Sequence, residues 1–225
     1  MNLKGVFDLK RGDFIWLGVL GLIVLFLLVP QTHLIFVTMT QNYPYLMGFI
    51  KIFILATMGE LLALRIITNV WKSPVGLFYR AVIWGFLGMS FVLIFDIFAS
   101  GVISALEKGL LPGEGQFVFA FFTSAIMNIA FAPIMMAFHR ITDTYLDLAN
   151  GKLSKLSNVK LSQVVDRIDW ENFISFVIIK TVPIFWIPAH TITFLLPAEY
   201  RVLLAAFLSI ALGAILAFAK RKKTV

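Results

Sequence analysis

The sequence predicts an all-helical membrane protein, a single bundle of about six transmembrane spans. Apolar residues make up 60% of the 225 residues, charged residues only 14%, and the mean hydropathy is +0.93. Soluble domains average ~45–50% apolar and ~25% charged residues, so a water-soluble chain of this length could not bury so much hydrocarbon. The apolar stretches are continuous instead of alternating, which favours helices over a β-barrel.

Composition also excludes several kinds of site. The chain has no cysteine, which rules out disulfides, thiolate metal sites and a cysteine nucleophile. A net charge of +7 could suggest nucleic acid, but basic loops on one side of a membrane explain it more simply. The lipid bilayer is therefore the expected partner, and no cofactor, metal or nucleic acid is predicted.

The first two spans are predicted at 14–29 and 45–71. A basic head followed by an apolar core also describes a signal peptide. The small residues of a cleavage site are missing after Val29, so we expect an uncleaved helix that continues towards Met39. Pro44 suits the first turn of the second helix, where its missing N–H costs nothing.

The remaining four spans are predicted at 75–106, 116–139, 173–195 and 202–219. They are separated by turn signals, and Pro133 lies inside the fourth span, 116–139. Each span approaches or exceeds the ~20 residues that cross ~30 Å of hydrocarbon. Small-residue patches at Gly59 and at Gly85 and Gly88 indicate close helix packing.

A polar connection is predicted at 140–170. Within it Leu161, Val164, Val165 and Ile168 recur at helical spacing, which indicates a short amphipathic helix. Such a helix either lies on the inner membrane interface or packs as a solvated helix on the loops. Asn150 with the following glycine is a helix stop before it.

Basic residues predict the orientation. If the N-terminus is cytoplasmic, fifteen Lys and Arg residues fall on the cytoplasmic side and two, Lys108 and Arg201, on the other. This bias supports six spans with both termini in the cytoplasm. With five spans, the basic residues of the N-terminus would lie on the side of the membrane opposite to the other basic loops.

Four ionisable residues fall inside the predicted spans: Lys51, Glu60, Asp96 and Lys180. Each costs ~2.5–3.5 kcal/mol at the bilayer centre, so each should find a partner or water. Depth suggests that Lys51 pairs with Asp96, directly or through water, and Glu60 with Lys180. These residues either fix helix register as buried ion pairs or line a hydrated path, and Lys51 can also snorkel to the interface.

Histidines raise two further questions. His139, Asp143 and Asp147 are four residues apart and share one helix face, which is a possible metal set, but polar residues are ordinary at such a helix end. No metal is predicted there. His190 lies in the proline-rich half of the fifth span, where it is either a satisfied core histidine or a gating or solute-contacting residue.

The C-terminal motif Trp186-x-x-x-His190-x-x-Thr193-Phe194, followed by Pro197-x-x-Tyr200-Arg201, resembles the signature of the peroxisomal membrane protein and Mpv-type family. In that family glutamine is usual at the position of His190 and asparagine at that of Thr193. One residue is missing between Phe194 and Pro197. Weaker likenesses to the family lie at Asn128, Phe131-Ala132-Pro133, Tyr43-Pro44 and Gly59-Glu60. With these, the resemblance covers about residues 43–222 of the chain.

This resemblance implies a small multi-pass protein that forms a channel or affects metabolite homeostasis. It carries over Trp186, His190, Thr193, Tyr200 and Arg201 as the family-motif positions. The family is usually described with four spans, and the first helix of this chain lies outside the likeness. The three prolines of the motif region also fit a kinked helix that only packs.

The predicted function is a channel or transporter for ions or small polar solutes, with a path past Glu60, Lys180 and the bends between Pro183 and Pro197. A non-catalytic structural or accessory subunit is the alternative, and a homo-oligomer is left open. Enzymatic activity is not predicted, because no paired aspartates, His-Glu-x-x-His or Gly-x-Ser-x-Gly arrangement is present. Without a mitochondrial presequence, the expected location is a prokaryotic cytoplasmic membrane.

Overall fold

The computed structural model describes residues 9–223, which are almost entirely helical and contain no strand. Four helices are long and apolar enough to cross a membrane, and one bent pair makes a fifth. The prediction of a helical membrane protein is confirmed at this level. The helices are α1 (Arg11–Leu28), α2 (Pro30–Asn42), α3 (Pro44–Thr68), α4 (Leu77–Glu107), α5 (Gln116–Ala130), α6 (Ala132–Leu148), α7 (Leu161–Arg167), α8 (Trp170–Asn172), α9 (Ile187–Leu195) and α10 (Ala198–Lys223), with a 3₁₀ helix at Leu153–Asn158 and a π-helix at Phe173–Trp186.

The first predicted span breaks at Val29. The backbone of Val29 is extended, with φ −71° and ψ 123°, because a residue before proline avoids the helical region. Pro30 then starts α2, which carries the chain past Met39. The predicted continuation is therefore helical, but as a separate helix.

The fourth predicted span is two helices, α5 and α6, which meet at a bend of 43°. Pro133 lies in the first turn of α6, directly after the break, where its ring and missing N–H interrupt the helical hydrogen bonds. α6 then runs on to Leu148, so the polar connection begins later than 140. Asn150 and Gly151, with φ 51° and 69°, end the helical segment as predicted.

The fifth predicted span begins as a π-helix and becomes α9 after Trp186. Thr181 supports the wider turns, since its hydroxyl donates to the carbonyl of Phe176 at 3.0 Å. Pro183 lies inside the π-helix and Pro188 in the first turn of α9. π segments occur often at functional sites because they redirect side chains.

The amphipathic segment forms α7, as the spacing predicts. Val164 and Ile168 are buried, whereas Leu161 and Val165 are exposed. The apolar edge with Val164 and Ile168 therefore packs on the protein. The edge with Leu161 and Val165 is not covered by other described residues.

α3 lies at the centre of the bundle between α4 and α10. Gly88 of α4 abuts the backbone of Gly48, and a Cβ at Gly59 would lie 3.2 Å from the backbone of Ile210. Glycine permits these approaches because it has no side chain to separate the helices. The predicted packing role of Gly59 and Gly88 is confirmed.

The bundle has two ends, named here for a charged residue at each. At the Arg80 end, Asp13 at the start of α1 binds Arg65 near the end of α3 at 2.8 Å. Near the Lys51 end, His33 of α2 contacts the hydroxyl of Tyr200 at 2.8 Å. α1, α4 and the π-helix with α9 run from the Arg80 end to the Lys51 end, and α3, α5 with α6, and α10 run back.

Candidate functional site

Three hollows lie inside the bundle. The Lys51 pocket has a volume of about 380 Å³, the central cavity about 270 Å³ and the Arg140 pocket about 280 Å³. Phe95 lines both the Lys51 pocket and the central cavity. Arg140, Phe173 and Val177 line both the central cavity and the Arg140 pocket. Each neighbouring pair of hollows therefore shares lining residues.

The hollows follow one another from end to end. Along α10, Val202 lines the Lys51 pocket, and Ser209 and Leu216 line the central cavity. Along α6, Met135 lines the central cavity and Asp147 the Arg140 pocket. α10 and α6 run in the same direction, and together they give the order Lys51 pocket, central cavity and Arg140 pocket, which describes an interrupted path through the protein.

The central cavity has a mostly apolar wall with a few polar groups, which is the usual character of a small-molecule site. Three residues that line this cavity each carry a buried ring nitrogen without a hydrogen-bond partner: Nε1 of Trp84, Nε1 of Trp186 and Nε2 of His139. Phenylalanine and methionine supply much of the remaining wall, at Phe91, Phe95, Phe131, Phe173, Met127, Met135 and Met136.

The polar groups stand in two pairs. Trp84 of α4 and His139 of α6 have ring centroids 4.0 Å apart, on the side of the cavity towards the Arg80 end. Trp186 and His190 stack with centroids 5.1 Å apart where the π-helix passes into α9. Because Trp186 and His190 are four residues apart, both rings lie on one face of the helical segment.

His190 is a buried histidine with a partner. Its Nδ1 lies 3.1 Å from Oδ1 of Asn128, whose amide donates to the carbonyl of Ser124 at 2.8 Å. The hydroxyl of Ser124 donates to Ile187 at 2.7 Å, so this chain of bonds joins α5 to α9. His190 also lines the central cavity. Its position therefore agrees both with a core histidine that has a hydrogen-bond partner and with a residue that contacts a solute.

Phe95 forms the partition towards the Lys51 pocket, with only 5% of its surface exposed. Its ring centroid lies 5.3 Å from that of Phe194 and 5.7 Å from that of His190. The sequence analysis missed Phe95, because nothing local separates it from the other 22 phenylalanines of the chain. Its position is evident only when α4 and α9 are packed together.

The predicted pairing of Glu60 with Lys180 is wrong. Glu60 binds Arg80, with Oε1 3.2 Å from Nη1, and Lys180 is exposed on the π-helix. The prediction assigned Arg80 to the basic residues of a cytoplasmic turn. In the structure Arg80 lies in α4 and only 6% of it is exposed.

Arg80 also binds the two acidic residues of α6. Its guanidinium lies 2.8 Å from Oδ2 of Asp143 and 2.7 Å from Oδ1 of Asp147. His139 lies on the same face, with Nδ1 3.6 Å from Asp143, as the spacing predicted. These residues surround an arginine, and residues 9–223 contain no group of His, Asp and Glu arranged to hold a metal.

Lys51 and Asp96 line one pocket, the Lys51 pocket, together with Glu199 and Arg201. Nζ of Lys51 donates to the carbonyl of Glu199 at 3.2 Å and lies 4.5 Å over the ring of Phe36. Lys51 and Asp96, which were predicted to pair directly or through water, thus share one pocket, and the contacts of the Lys51 ammonium are with Glu199 and Phe36. The pocket carries two positive and two negative side chains.

The family-motif positions divide between wall and scaffold. Trp186 and His190 line the central cavity, and Arg201 lines the Lys51 pocket. Thr193 donates to Ala189 at 3.0 Å and is fully buried. The scaffold positions also include Phe194 in the core, Pro197 between α9 and α10, and Tyr200 bound to His33.

No protein-family model, curated protein or solved structure matches this chain. The likeness to the Mpv-type family remains a prediction from the motif residues.

Proposed function

We propose that this protein is a membrane transporter that moves a small solute through the three hollows in turn. The observation that carries the proposal is their order: Lys51 pocket, Phe95, central cavity, then Arg140, Phe173 and Val177, and finally the Arg140 pocket. A path of this kind has a binding chamber between two barriers. The earlier prediction of a path past Lys180 is replaced by this route.

The two barriers favour a transporter over an open channel. Phe95 is a buried aromatic side chain, and the passage of a polar solute past it requires the ring or its helix to move. Phe173 is likewise buried, in the first turn of the π-helix. Movement of each barrier in turn would expose the central cavity to one side of the membrane and then the other.

The proposal includes a topology of six crossings with both termini in the cytoplasm. The sixth crossing is α3, which has the length of a span but carries Lys51, Glu60 and Arg65. The basic residues then lie mainly at the Arg80 end, as expected for the cytoplasmic side. A prokaryotic cytoplasmic membrane and a divergent relationship to the Mpv-type family agree with this arrangement.

Single cysteines test the proposed path, because the natural chain has none. Ser209→Cys places a thiol on the central cavity, Gln41→Cys on the Lys51 pocket and Asn172→Cys on the Arg140 pocket. Ile184→Cys is the matched control, since Ile184 is 75% exposed on the outer surface of the π-helix. Each variant is reconstituted in liposomes and treated from one side with a charged, membrane-impermeant methanethiosulfonate reagent.

We expect Gln41→Cys and Asn172→Cys to react from opposite sides of the membrane. Ser209→Cys should react much faster than the lipid-facing control, because its thiol lies in a cavity that water enters. Reaction of Ser209→Cys as slow as that of Ile184→Cys from both sides would contradict the proposal.

A specific observation also favours the accessory-subunit alternative. None of the residues of α1 is buried, and Gly18 and Gly21 face open space. Glycines on a spanning helix permit close approach of another helix. For an accessory subunit we expect slow labelling of Ser209→Cys in the isolated protein, together with copurification of a second polypeptide from the native membrane.

A further inference from the structure

Two tryptophans on the wall of the central cavity carry hydrogen-bond donors without a partner. The indole nitrogens of Trp84 and Trp186 can only donate, and both are buried without a partner. No Asp or Glu side chain lines this cavity within residues 9–223. A buried donor without a partner is costly, so a bound molecule with acceptor oxygens would be stabilised here.

The other polar groups on the wall are already occupied. The hydroxyl of Thr181 donates to Phe176, and that of Ser209 donates to Ala206 at 2.7 Å. The amide of Asn128 is bonded to Ser124, and its oxygen faces His190. These contacts leave the two indole N–H groups as donors without a partner among the residues of the wall.

Arg140 is the one charged side chain on the wall among residues 9–223. It follows His139, whose ring contacts that of Trp84, so the donors of Arg140 and Trp84 lie towards the same end of the cavity. The nearby carboxylates of Asp143 and Glu60 lie outside the wall and are bound to Arg80 at 2.8 and 3.2 Å. Arg80, which also binds Asp147, offsets one of these three negative charges, and Arg140 supplies a second positive charge next to Asp143.

From this chemistry we propose that the central cavity binds an amphipathic organic carboxylate. Its head lies at Trp84 and Arg140, and its apolar body lies against Phe91 and Phe95. The volume of about 270 Å³ is at the small end of ligand sites, which indicates a compact body such as one aromatic ring or a short chain. This inference rests on the proposed function, since it names the class of solute that the transporter carries.

Three probes with one body test the class of ligand: 4-phenylbutyrate, its neutral amide and 4-phenylbutylamine. Binding to the purified full-length protein in detergent is measured by isothermal titration calorimetry. We expect the carboxylate to bind at least about tenfold more tightly than the amide or the amine, because only the carboxylate combines charge with two acceptors. Equal binding of all three, tightest binding of the amine, or no binding of the carboxylate would overturn the proposal.

Trp84→Phe tests the proposed position of the head. The change keeps an aromatic ring but removes the N–H, and we expect it to weaken carboxylate binding by about tenfold. Trp16→Phe is the matched control, since the indole of Trp16 donates to Met58 outside the cavity. An unchanged affinity in folded Trp84→Phe, or an equal loss in Trp16→Phe, would overturn the assignment.

Protection of Ser209→Cys separates this proposal from the transport function. If the thiol reacts readily but 4-phenylbutyrate does not slow the reaction, the path stands and the ligand class is wrong. If the carboxylate binds in detergent but the thiol reacts from neither side of a liposome, the site stands and transport is wrong. Both proposals expect rapid reaction that the carboxylate slows.

Discussion

At the scale of single residues, Arg80 is the main charged contact between α3, α4 and α6. Its guanidinium binds carboxylates from two other helices, at Glu60 and at Asp143 and Asp147. The second oxygens of Glu60 and Asp143 are buried and have no hydrogen-bond partner. Removal of the arginine would therefore leave buried carboxylates without a positive charge.

We expect Arg80→Met to reduce the free energy of unfolding by about 3–5 kcal/mol, since it breaks a buried charge cluster while keeping much of the side-chain volume. Lys180→Met is the control, because Lys180 is exposed, and we expect a change within about 0.5 kcal/mol. Both are measured by denaturant unfolding in detergent micelles. Equal effects of the two changes would contradict the role given to Arg80.

At the scale of helices, glycines set the distance between α3 and α4. A Cβ on Gly88 would meet the backbone oxygen of Gly48 and the Cβ of Ile52. Since the first of these atoms belongs to the backbone, no change of rotamer could relieve the contact. The two helices would have to move apart and give up packing along their length.

We therefore expect Gly88→Ala to lower the free energy of unfolding by about 1–3 kcal/mol, the usual cost of overpacking. Gly18→Ala on α1 is the matched control, because a Cβ there meets no atom within 4 Å. Thermal unfolding of the two variants in the same detergent compares them directly. A loss in Gly18→Ala as large as that in Gly88→Ala would show that glycine packing is not the cause.

At the scale of the whole molecule, the proposed topology assigns the loops to opposite sides of the membrane. Ser154 lies in the 3₁₀ helix between α6 and α7, and Glu114 lies in the loop between α4 and α5. Both are exposed, which makes them suitable positions for a single cysteine. The basic residues around Ser154 place it in the cytoplasm under the rule that Lys and Arg accumulate there.

We expect an impermeant maleimide to label Glu114→Cys in intact cells, and to label Ser154→Cys only after the membrane is permeabilised. Labelling of both denatured proteins to the same extent controls for thiol reactivity. Labelling of Ser154→Cys in intact cells would reverse the proposed orientation, and labelling of both variants would contradict six crossings.

Membrane residence and helical class could be predicted because they depend on local composition. An apolar run of about 20 residues must satisfy its backbone within itself in lipid, so each run indicates a helix wherever it packs. Pro133 was recognised inside the fourth span, whereas the break before Pro30 was not predicted, because the first helix was expected to continue towards Met39. The size of the bends, and the π-helix that ends at Trp186, depend on which neighbouring helix supports the freed backbone groups.

The sequence by itself determined the helical membrane class, the approximate positions of the spans and the shared face of His139, Asp143 and Asp147, because these follow from hydrophobicity and from 3.6 residues per turn. Only the tertiary structure decided that Arg80 is the partner of Glu60 and that Phe95 separates two hollows. The physical reason is that an ion pair or a cavity is formed by side chains from several helices. Their meeting depends on helix rotation and depth, which no single stretch of sequence encodes.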